Sequence, residues 1–568
     1  MSRAFLLKPN KTSYNNNNNE QILDVCIIGA GFSGMYQLHK LRSSNVQNVK
    51  VIEAGSGVGG TWYWNRYPGC RCDVPSVEYS YSFNEELQQD WTWTEMMAPQ
   101  PEIEKYANHV ADRFKLRDGI DFNTKVMKVE YNEQEKIWYT YTDTNKTYKS
   151  KFVITCVGCL SNPNLPDIYH QSAANFKGTT IHTGRWPKKN PDFSGKKVCI
   201  IGTGSSGIQT LPEVANGKLG KCEVTVMQRT PQYTLPANNH PLSKEYVNNT
   251  KKNYDRIRKF ERESAAGISL VDYLGGSIYS PDVQLPLPPI EDNIMDLNED
   301  ERLALLDKYG FEVIRKFADV RVSEKANKIV QDLFAKQVKR VVKDPVTAEA
   351  LTPKDYPLGC KRQVIDTDFF EAFNLPNVKL VDLTKGKISA ITANGVETEQ
   401  GTFDFDVIIF AVGFDAMTGP LTSLNIHGKN GQTISSNWEK EGPKTYLGLQ
   451  MVGFPNLFTV TGPGSPSVLS NMMVSIEQHV DWISQTIVDM KGKETIEPTV
   501  EAQEKWVKHV NDVTQGSMLV NPSCNSWYLG ANIPGKPRIF MPYLGGVGAY
   551  REICNEVRKE GYRGFQIS

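Results

Sequence analysis

Two glycine-rich turns, each placed between apolar runs, constrain the fold of this 568-residue chain more than any other feature. The first turn, residues 29–34, reads G-A-G-F-S-G, between an apolar run at residues 23–28 and a second run that ends at Glu53. This order predicts a strand, turn, helix and strand that bind a nucleotide, because the glycines let backbone N–H groups approach a pyrophosphate. Glu53 is placed to accept hydrogen bonds from a ribose hydroxyl.

The same pattern recurs at residues 197–227, with a different ending. Its turn, residues 202–207, reads G-T-G-S-S-G, and its second strand leads into Gln228, Arg229 and Thr230 with no acid. A carboxylate there would repel a 2′-phosphate, whereas a guanidinium binds one through paired, charge-assisted hydrogen bonds. The second site is therefore predicted to prefer NADPH over NADH. Two sites with different endings suggest two different dinucleotides, and the economical pairing is FAD in the first and NADPH in the second, although the first turn alone would also suit NAD.

The fold class predicted from these units is α/β, with two doubly wound Rossmann-like dinucleotide-binding domains and a helical insertion. Residues 122–143 alternate as a strand hairpin does, residues 253–266 and 300–342 have a helical period, and the proline-rich residues 280–292 suit a loop. The predicted divisions are a disordered tail at residues 1–20, the FAD domain at residues 21–160 and 406–568, the NADPH domain at residues 161–237 and 354–405, and the insertion at residues 238–353.

Composition argues against several classes of protein. Lys plus Arg and Asp plus Glu number 64 each, which disfavours a nucleic-acid or acidic-membrane partner. No run reaches the roughly 18 apolar residues that span a bilayer, and the polar N-terminus lacks a secretory signal. The ten cysteines form no disulfide framework, and packing is favoured over redox chemistry for Cys156 and Cys159. We therefore expect a cytoplasmic protein, as a monomer or weak oligomer.

Five residues between the two turns carry a family resemblance. Phe176, Gly178, His182, Trp186 and Pro187 fit the pattern F-x-G-x-x-x-H-x-x-x-W-P. This pattern resembles the fingerprint of type I Baeyer–Villiger monooxygenases, and its Trp-Pro ending favours the ketone-oxidising branch over relatives that oxygenate amines and sulfides. Four more segments resemble parts of the same family. Residues 59–73 resemble its flavin-contacting stretch, and residues 358–362 resemble its catalytic arginine segment. Residues 462–472 resemble its active-site loop, and residues 527–535 resemble its nicotinamide segment.

The resemblance implies an enzyme in which NADPH reduces FAD, O2 adds to the flavin, and the C4a-peroxyflavin converts a small ketone into an ester or lactone. A fixed cation must stabilise the negative charge that develops on the carbonyl oxygen. Arg362 is the predicted cation, since a guanidinium stays charged at any working pH, and Asp73 would position it. His182 would act as a hinge residue that couples NADPH binding to domain movement. No metal is expected.

The resemblance also implies the remaining contacts. The expected FAD contacts are Gly29, Gly31, Phe32, Ser33, Gly34, Glu53, Thr61, Trp62, Tyr63, Trp64, Asp73, Tyr79, Val126 and Met472. The expected NADP contacts are Arg71, Cys72, Asp73, Thr203, Gly204, Ser205, Ser206, Gly207, Ile208, Gln209, Arg229, Thr230, Lys361, Arg362 and Trp527. The expected substrate pocket is formed by Ser467, Val468, Leu469 and Met472.

Other functions stay open at this point. Sulfide oxygenation is a plausible side activity, and an amine- or sulfide-oxygenating flavin monooxygenase is the nearest alternative. An NADPH-dependent flavin or disulfide reductase would place a redox Cys-x-x-Cys soon after the first glycine helix, which Cys156 and Cys159 do not satisfy. A non-catalytic flavin-binding module would leave Arg362, Asp73 and the second nucleotide site unexplained.

Overall fold

The computed structural model describes residues 22–269 and 293–568. The tail expected at residues 1–20 and the loop expected at residues 280–292 lie outside these ranges. Within them, no helix has the length and apolar character needed to cross a membrane.

The strands in the described part of the chain form two large sheets and three small ones. In chain order they are β1 (Leu23–Ile28), β2 (Val49–Ile52), β3 (Ile120–Asp121), β4 (Val126–Asn132), β5 (Ile137–Thr142), β6 (Thr147–Thr155), β7 (Thr179–His182), β8 (Lys197–Ile201), β9 (Glu223–Gln228), β10 (Thr234–Pro236), β11 (Val364–Asp366), β12 (Val378–Asp382), β13 (Ile388–Ile391), β14 (Gly395–Thr398), β15 (Gly401–Asp404), β16 (Val407–Phe410), β17 (Ile426–His427), β18 (Leu457–Thr459), β19 (Ile496–Pro498) and β20 (Phe565–Ile567).

The helices surround the two large sheets. In chain order they are α1 (Phe32–Ser43), α2 (Thr61–Trp64), α3 (Glu85–Asp90), α4 (Gln100–Arg113), α5 (Asp167–Asn175), α6 (Ser205–Ala215), α7 (Lys244–Lys252), α8 (Tyr254–Glu263), α9 (Glu299–Tyr309), α10 (Glu324–Val341), α11 (Pro345–Leu351), α12 (Phe369–Ala372), α13 (Gly419–Thr422), α14 (Ile434–Glu441), α15 (Met472–Asp489), α16 (Val500–Asp512) and α17 (Val547–Lys559).

The first sheet has β1 at its centre and runs in the order β17-β4-β5-β6-β1-β2-β3, with β18 also paired to β6. Strand β1 is parallel to β2 and to β6, and the inner residues of all three strands are buried. Strands β4 and β5 are antiparallel, which confirms the predicted hairpin. Parallel strands that end at one edge create a crevice there, so the turn after β1 opens onto a ligand-binding edge.

The second sheet is parallel throughout, in the order β12-β9-β8-β16-β7. The second glycine turn follows β8. Strand β16 lies between β8 and β7, so this domain continues past residue 406, where the sequence places the return to the first domain. The run Val-Ile-Ile-Phe is buried on both faces, and such a run fits a central strand of either sheet. Together the two sheets confirm the predicted α/β class.

The C-terminal part of the chain returns to the first domain. Strand β18 pairs with β6, α15 packs on α1, and α17 packs on α15. Helices α8, α9 and α10 confirm the helical period predicted for the insertion. Helix α17 also contacts α8, so the insertion lies against the returning segment. This arrangement packs α15, which follows the loop at residues 462–471, against the helix that starts at the first glycine turn.

Candidate active site

The first glycine turn packs too tightly for any side chain at two of its positions. A Cβ atom on Gly29, where φ is +101°, would lie 2.5 Å from the carbonyl oxygen of Cys156. A Cβ atom on Gly34 would lie 1.8 Å from the carbonyl oxygen of Gly29. Both glycines are therefore required for α1 to start directly against β1 and β6.

Helices α1 and α6 begin differently from most other helices of the chain. Their N-caps, Gly31 and Gly204, offer no side-chain hydrogen bond, and neither helix has an acid in its first turn. By contrast, Asn298 caps α9 and Ser323 caps α10 through side-chain oxygens. The first N–H groups of α1 and α6 have no acceptor within the helix, and such groups with the helix dipole bind phosphate. Both helix N-termini thus fit a pyrophosphate.

Glu53 is held at the first turn by two backbone donors. Its carboxylate accepts hydrogen bonds from the N–H groups of Ala30, at 2.7 Å, and Gly55, at 2.6 Å. Burial raises the pKa of Glu53, and these two donors oppose that increase. The carboxylate is fixed beside the turn, at the place where the ribose of a bound dinucleotide would lie.

The predicted flavin-contacting stretch lies over the first turn. A Cβ atom on Gly60, just before α2, would come within 2.9 Å of the Cα atom of Gly31. The Trp62 ring N–H donates to the Tyr79 hydroxyl at 3.2 Å, and the Tyr63 hydroxyl accepts from the Ser56 N–H at 3.0 Å. Thr61 and Trp64 are exposed at the ends of α2. Two other expected FAD residues outside the turn, Val126 and Met472, begin β4 and α15.

The second turn repeats the packing of the first and also contacts the first domain. A Cβ atom on Gly207 would lie 2.1 Å from the Gly202 carbonyl oxygen, whereas one on Gly204 would meet nothing within 4 Å. In α6, Gln209 accepts a hydrogen bond from the Tyr67 hydroxyl at 2.8 Å. A Cβ atom on Gly69 would lie 2.1 Å from the Gln209 carbonyl oxygen, so the two domains touch at this helix.

Two cations lie at the end of β9 and beside it, as expected for a 2′-phosphate site. Arg229 is exposed, and no ion-pair partner is found for it or for Lys361 in the described part of the chain. The Lys361 ammonium lies 3.7 Å from the centre of the Tyr356 ring. Burial, followed by the nearby charge of Arg229, lowers the pKa of Lys361 to about 8. Thr203 donates to the Thr230 carbonyl oxygen at 3.0 Å and closes this side of the turn.

Arg362 joins the two domains. Its Nε and Nη2 atoms donate to Oδ2 of Asp73 at 2.9 and 2.5 Å, and its Nη1 atom donates to the Val468 carbonyl oxygen at 2.8 Å. Asp73 raises the pKa of Arg362, and burial opposes that shift. The two side chains are still 33% and 32% exposed, so one face of the pair remains open to a ligand. The structure brings together the two residues that the sequence named as catalytic.

The loop before α15 reaches this cation through its backbone, which the sequence does not reveal. Ser467 has a positive φ of 42°, and the following residue directs its carbonyl oxygen at Arg362. Leu469 and Met472 are partly buried. Tyr528 lies near Arg362 and contributes to the raised pKa of that arginine, and the Tyr528 ring lies 4.3 Å from that of Trp527. Tyr528 directly follows the predicted Trp527, so the motif that contains Trp527 could have indicated Tyr528 as well.

A buried charge cluster, Arg258, Glu261, Glu78 and Glu477, lies behind this loop and was missed in the sequence. Arg258 on α8 pairs with Glu261, and burial raises the pKa of Glu261 to about 8. Glu477 on α15 accepts from the N–H group of Ser82 at 2.6 Å. Because partners separated by over 200 positions meet here, no local pattern could have indicated the cluster.

The fingerprint residues pack within the second domain and beside the segments that connect it to the first. A Cβ atom on Gly178 would lie 2.3 Å from the Asp406 carbonyl oxygen, and Trp186 is buried, with Pro187 exposed beside it. His182 accepts from the Gly184 N–H through Nδ1 at 3.0 Å, so its Nε2–H donates to the Asn164 carbonyl oxygen at 3.1 Å. Burial lowers the pKa of His182 to about 4, which keeps the ring neutral.

Other predicted residues have ordinary partners. Arg71 donates to Glu95 at 3.1 Å and to the Met97 carbonyl oxygen at 2.9 Å. Cys156 and Cys159 are free, buried thiols, and burial raises the pKa of Cys156 to about 12 and that of Cys159 to about 11. Reactive thiols have a lowered pKa, so these two suit the packing interpretation.

Comparison with known proteins gives a consistent result. Residues 26–270 match a family model described as pyridine nucleotide-disulphide oxidoreductase. The chain is 38% identical over 542 residues to a Baeyer–Villiger monooxygenase of Pseudooceanicola batsensis, covering 95% of each protein. It also superposes on an oxidized steroid monooxygenase bound to NADP, with a TM-score of 0.85, 42% identity, and coverage of 96% of this chain and 99% of that one.

Two further solved enzymes resemble the chain. OTEMO in complex with FAD and NADP has a TM-score of 0.86 and 34% identity, covering 97% of this chain and 100% of that one. Cyclohexanone monooxygenase has been solved in a closed and an open form, with TM-scores of 0.87 and 0.83. The closed form is 36% identical to this chain and covers 97% of it and 99% of that structure. The open form is 34% identical and covers 96% of this chain and 100% of that structure.

Substitutions in the second turn should separate packing from cofactor binding. In Gly207→Ala the new methyl group meets the Gly202 carbonyl oxygen, and we expect a loss of about 1 to 3 kcal/mol in unfolding free energy. In Gly204→Ala the methyl group meets no protein atom, so stability should change by less than about 0.5 kcal/mol. Because the methyl group then takes the space of the pyrophosphate, the NADPH Kd should rise about tenfold. Thermal melts measure the stability of each variant, and NADPH titration measures its Kd. Equal effects of the two variants on both quantities would contradict the assignment of the second turn to NADPH.

NADPH binding should weaken as pH rises through the pKa of Lys361. The lysine must be protonated to bind the 2′-phosphate, and its pKa of about 8 in the free protein means that it loses charge above that pH. We expect the Kd for NADPH to rise about tenfold between pH 7 and pH 9. In Lys361→Arg the guanidinium stays charged, so the Kd should be nearly independent of pH over this range. Titration of both proteins at four pH values tests this; the same pH dependence in both would exclude Lys361.

Proposed function

This chain belongs to the Baeyer–Villiger monooxygenases, and on that premise we propose that Arg362, held by Asp73, is the catalytic cation with which it converts ketones into esters or lactones. The enzyme uses FAD, NADPH and O2, with a small-molecule ketone as substrate. The observation that carries the proposal is the meeting of three separate segments, those of Arg362, Asp73 and Val468, at the junction of the two domains.

The two glycine turns assign the cofactors. FAD lies at the N-terminus of α1 with its ribose at Glu53, and NADPH lies at the N-terminus of α6 with its 2′-phosphate between Arg229 and Lys361. Bound FAD, once reduced by NADPH, supplies the activation of O2 for insertion beside the carbonyl group. The support is physical: one strand ends in a buried acid and the other in an exposed arginine.

Arg362 stabilises negative charge where the reaction creates it. The guanidinium has five N–H groups, and three of them donate to Asp73 and to the Val468 carbonyl oxygen. The open face of the pair leaves donors for the carbonyl oxygen of a substrate. Because the group is fixed before the substrate arrives, little reorganisation is needed as charge develops.

Asp73 positions Arg362. Two bonds to one carboxylate oxygen fix the plane of the guanidinium, as charge-assisted pairs do. The partner comes from the first domain, whereas Arg362 follows the insertion. We infer that the cation reaches its working position only when the two domains are together.

His182 acts as a hinge residue. It donates to the Asn164 carbonyl oxygen, in the segment that enters the second domain, and its ring lies 6.4 Å from that of Phe414, in the segment that leaves it. A ring that packs between the two crossings can follow their relative rotation. We infer that this enzyme, like cyclohexanone monooxygenase, adopts a closed and an open form. The His182 ring is neutral, and both of its nitrogens are hydrogen-bonded, so it donates no proton to the reaction.

The alternative functions have less support. A disulfide reductase needs a reactive thiol pair beside the flavin, and the raised pKa values of Cys156 and Cys159 do not provide one. An enzyme that oxygenates only amines or sulfides needs no fixed cation for a carbonyl oxygen, which leaves the Arg362 site without a purpose. Sulfide oxygenation remains compatible as a side activity.

Product analysis tests the function directly. Purified holoenzyme with NADPH, in air, should convert an aryl acetone or a cyclic ketone into the ester or lactone, because the cation and both nucleotide sites are in place. The measurements are ester by gas chromatography, hydrogen peroxide by a peroxidase assay, and sulfoxide from a test sulfide. NADPH consumption that yields only peroxide across a broad ketone panel would show that the chain is not a ketone-oxidising enzyme.

Variants at Arg362 and Asp73 test the assigned roles. We expect Arg362→Ala to retain flavin reduction by NADPH and to lose ester formation by at least about a hundredfold, as loss of a fixed charge donor does. Asp73→Asn should keep the protein folded and lower ester formation less, because the arginine stays charged but is less firmly held. Arg340→Ala, on the surface of α10, is the matched control. Stopped-flow absorbance and ester yield measure the two steps; ester formation that survives in Arg362→Ala removes Arg362 from its role.

A further inference from the structure

One disulfide lies beside the catalytic arginine. Cys360 and Cys524 are bonded, their Cα atoms are 5.9 Å apart, and 164 positions separate them in the sequence. Both residues are fully buried. The other eight cysteines are free, so this pair is the single cross-link of the ten. Neither cysteine takes part in the chemistry proposed above.

Each half of the disulfide is attached to a different side of the site. Cys360 directly precedes Lys361 and Arg362. Its segment is fixed to the insertion, since Asn327 on α10 binds both the N–H group and the carbonyl oxygen of Leu358, at 3.0 and 2.9 Å. The strand that follows, β11, pairs with β10, which continues from the second sheet. Cys360 therefore moves with the second domain and its insertion.

Cys524 is attached to the first domain. It lies three positions before Trp527, in a segment that follows α16. The next residues are fixed to the active-site loop, because the Met541 N–H donates to the Tyr528 carbonyl oxygen and the Gly464 N–H donates to that of Met541, at 2.9 and 2.7 Å. The disulfide thus ties Arg362 and Lys361 of one domain to the Trp527 segment of the other.

We propose that Cys360 and Cys524 form a reversible thiol–disulfide site that controls how far the two domains separate, and thereby how fast NADP+ leaves. This inference rests on the proposed NADP site. In the disulfide form the segments that carry Arg362 and Trp527 cannot part, so the bound nucleotide stays enclosed. In the dithiol form the domains are held by non-covalent contacts alone, and nucleotide exchange is faster. A covalent tether acts here by raising the effective concentration of one segment at the other.

The redox steps balance with a peroxide as oxidant and a dithiol as reductant. On oxidation the two thiols lose two protons and two electrons, the S–S bond forms, and one hydrogen peroxide becomes two waters. On reduction one thiolate of a dithiol attacks one sulfur of the bond and releases the other cysteine as a thiol. The second thiol of the reductant then attacks the mixed disulfide and releases the first cysteine, which leaves the reductant as a disulfide. Because both sulfurs are buried, we expect the reductant to reach the bond only through local opening of the segments around it, and bound NADP+ to slow that opening.

The test compares two redox forms of the full holoenzyme. One sample is treated with hydrogen peroxide and the other with dithiothreitol, and alkylation with mass spectrometry counts the free thiols in each. Release of NADP+ is followed by stopped-flow displacement with excess NADPH in the absence of oxygen. We expect release from the dithiol form to be roughly tenfold faster. Equal rates in two samples whose disulfide state has been verified would overturn the proposal, as would a peroxide-treated protein with ten free thiols.

Two variants separate the tether from general effects of treatment. Cys524→Ser cannot form the bond, so its NADP+ release should be fast in both samples, and its thermal melt shows whether it is folded. Cys222→Ser is the matched control, because Cys222 is buried in the second domain and its Sγ–H donates to a carbonyl oxygen, as a serine would. It should respond to redox treatment as the wild type does. A Cys524→Ser protein that still responds would overturn the proposal.

The outcome is independent of ketone oxidation. Thiol counts and NADP+ release need no ester to form, so a chain that oxidises no ketone can still show redox-dependent release. In that case the proposed function fails and the inference holds. If esters form and release is the same in both redox forms, the function holds and the inference fails.

Discussion

The contact between Arg362 and Asp73 is the interaction on which the rest of the structure depends. This ion pair spans the junction of two domains, each of which has its own sheet. The arginine also holds the Val468 carbonyl oxygen, so the loop, the first domain and the segment that follows the insertion meet at one guanidinium. A site that is assembled from three segments forms only when those segments lie together, so the proposed chemistry depends on the position of the domains.

The two nucleotide sites show how one backbone arrangement serves two ligands. In both turns the last glycine allows the helix to start against the sheet, and in both the helix N-terminus lacks a side-chain cap. What differs is the end of the next strand: a buried acid, Glu53, in the first and an exposed Arg229 in the second. In the proposed assignment the common backbone binds pyrophosphate, and the different side chains select which ribose is accepted.

The sequence predicted those parts of the fold that depend on patterns of neighbouring residues. The strands, both turns, the hairpin of β4 and β5, and the helices of the insertion follow from periodicity and glycine positions within a few dozen residues. The position of β16 did not follow, because a fully apolar strand fits either sheet. The Val468 carbonyl contact and the Cys360–Cys524 bond also escaped, since each joins residues over 100 positions apart and depends on how the domains meet.

The buried cluster behind the loop explains why the insertion contributes to the site at a distance. Three carboxylates surround Arg258, so full ionisation would leave excess negative charge in a dry region. Burial raises the pKa of Glu261, the charges of Glu78 and Glu477 add to that increase, and Arg258 opposes it. Glu477 lies on α15, directly after the loop, and Arg258 lies on α8 of the insertion. A polar network that is satisfied only in one arrangement holds α8 and α15 in register, and with them the loop that faces Arg362.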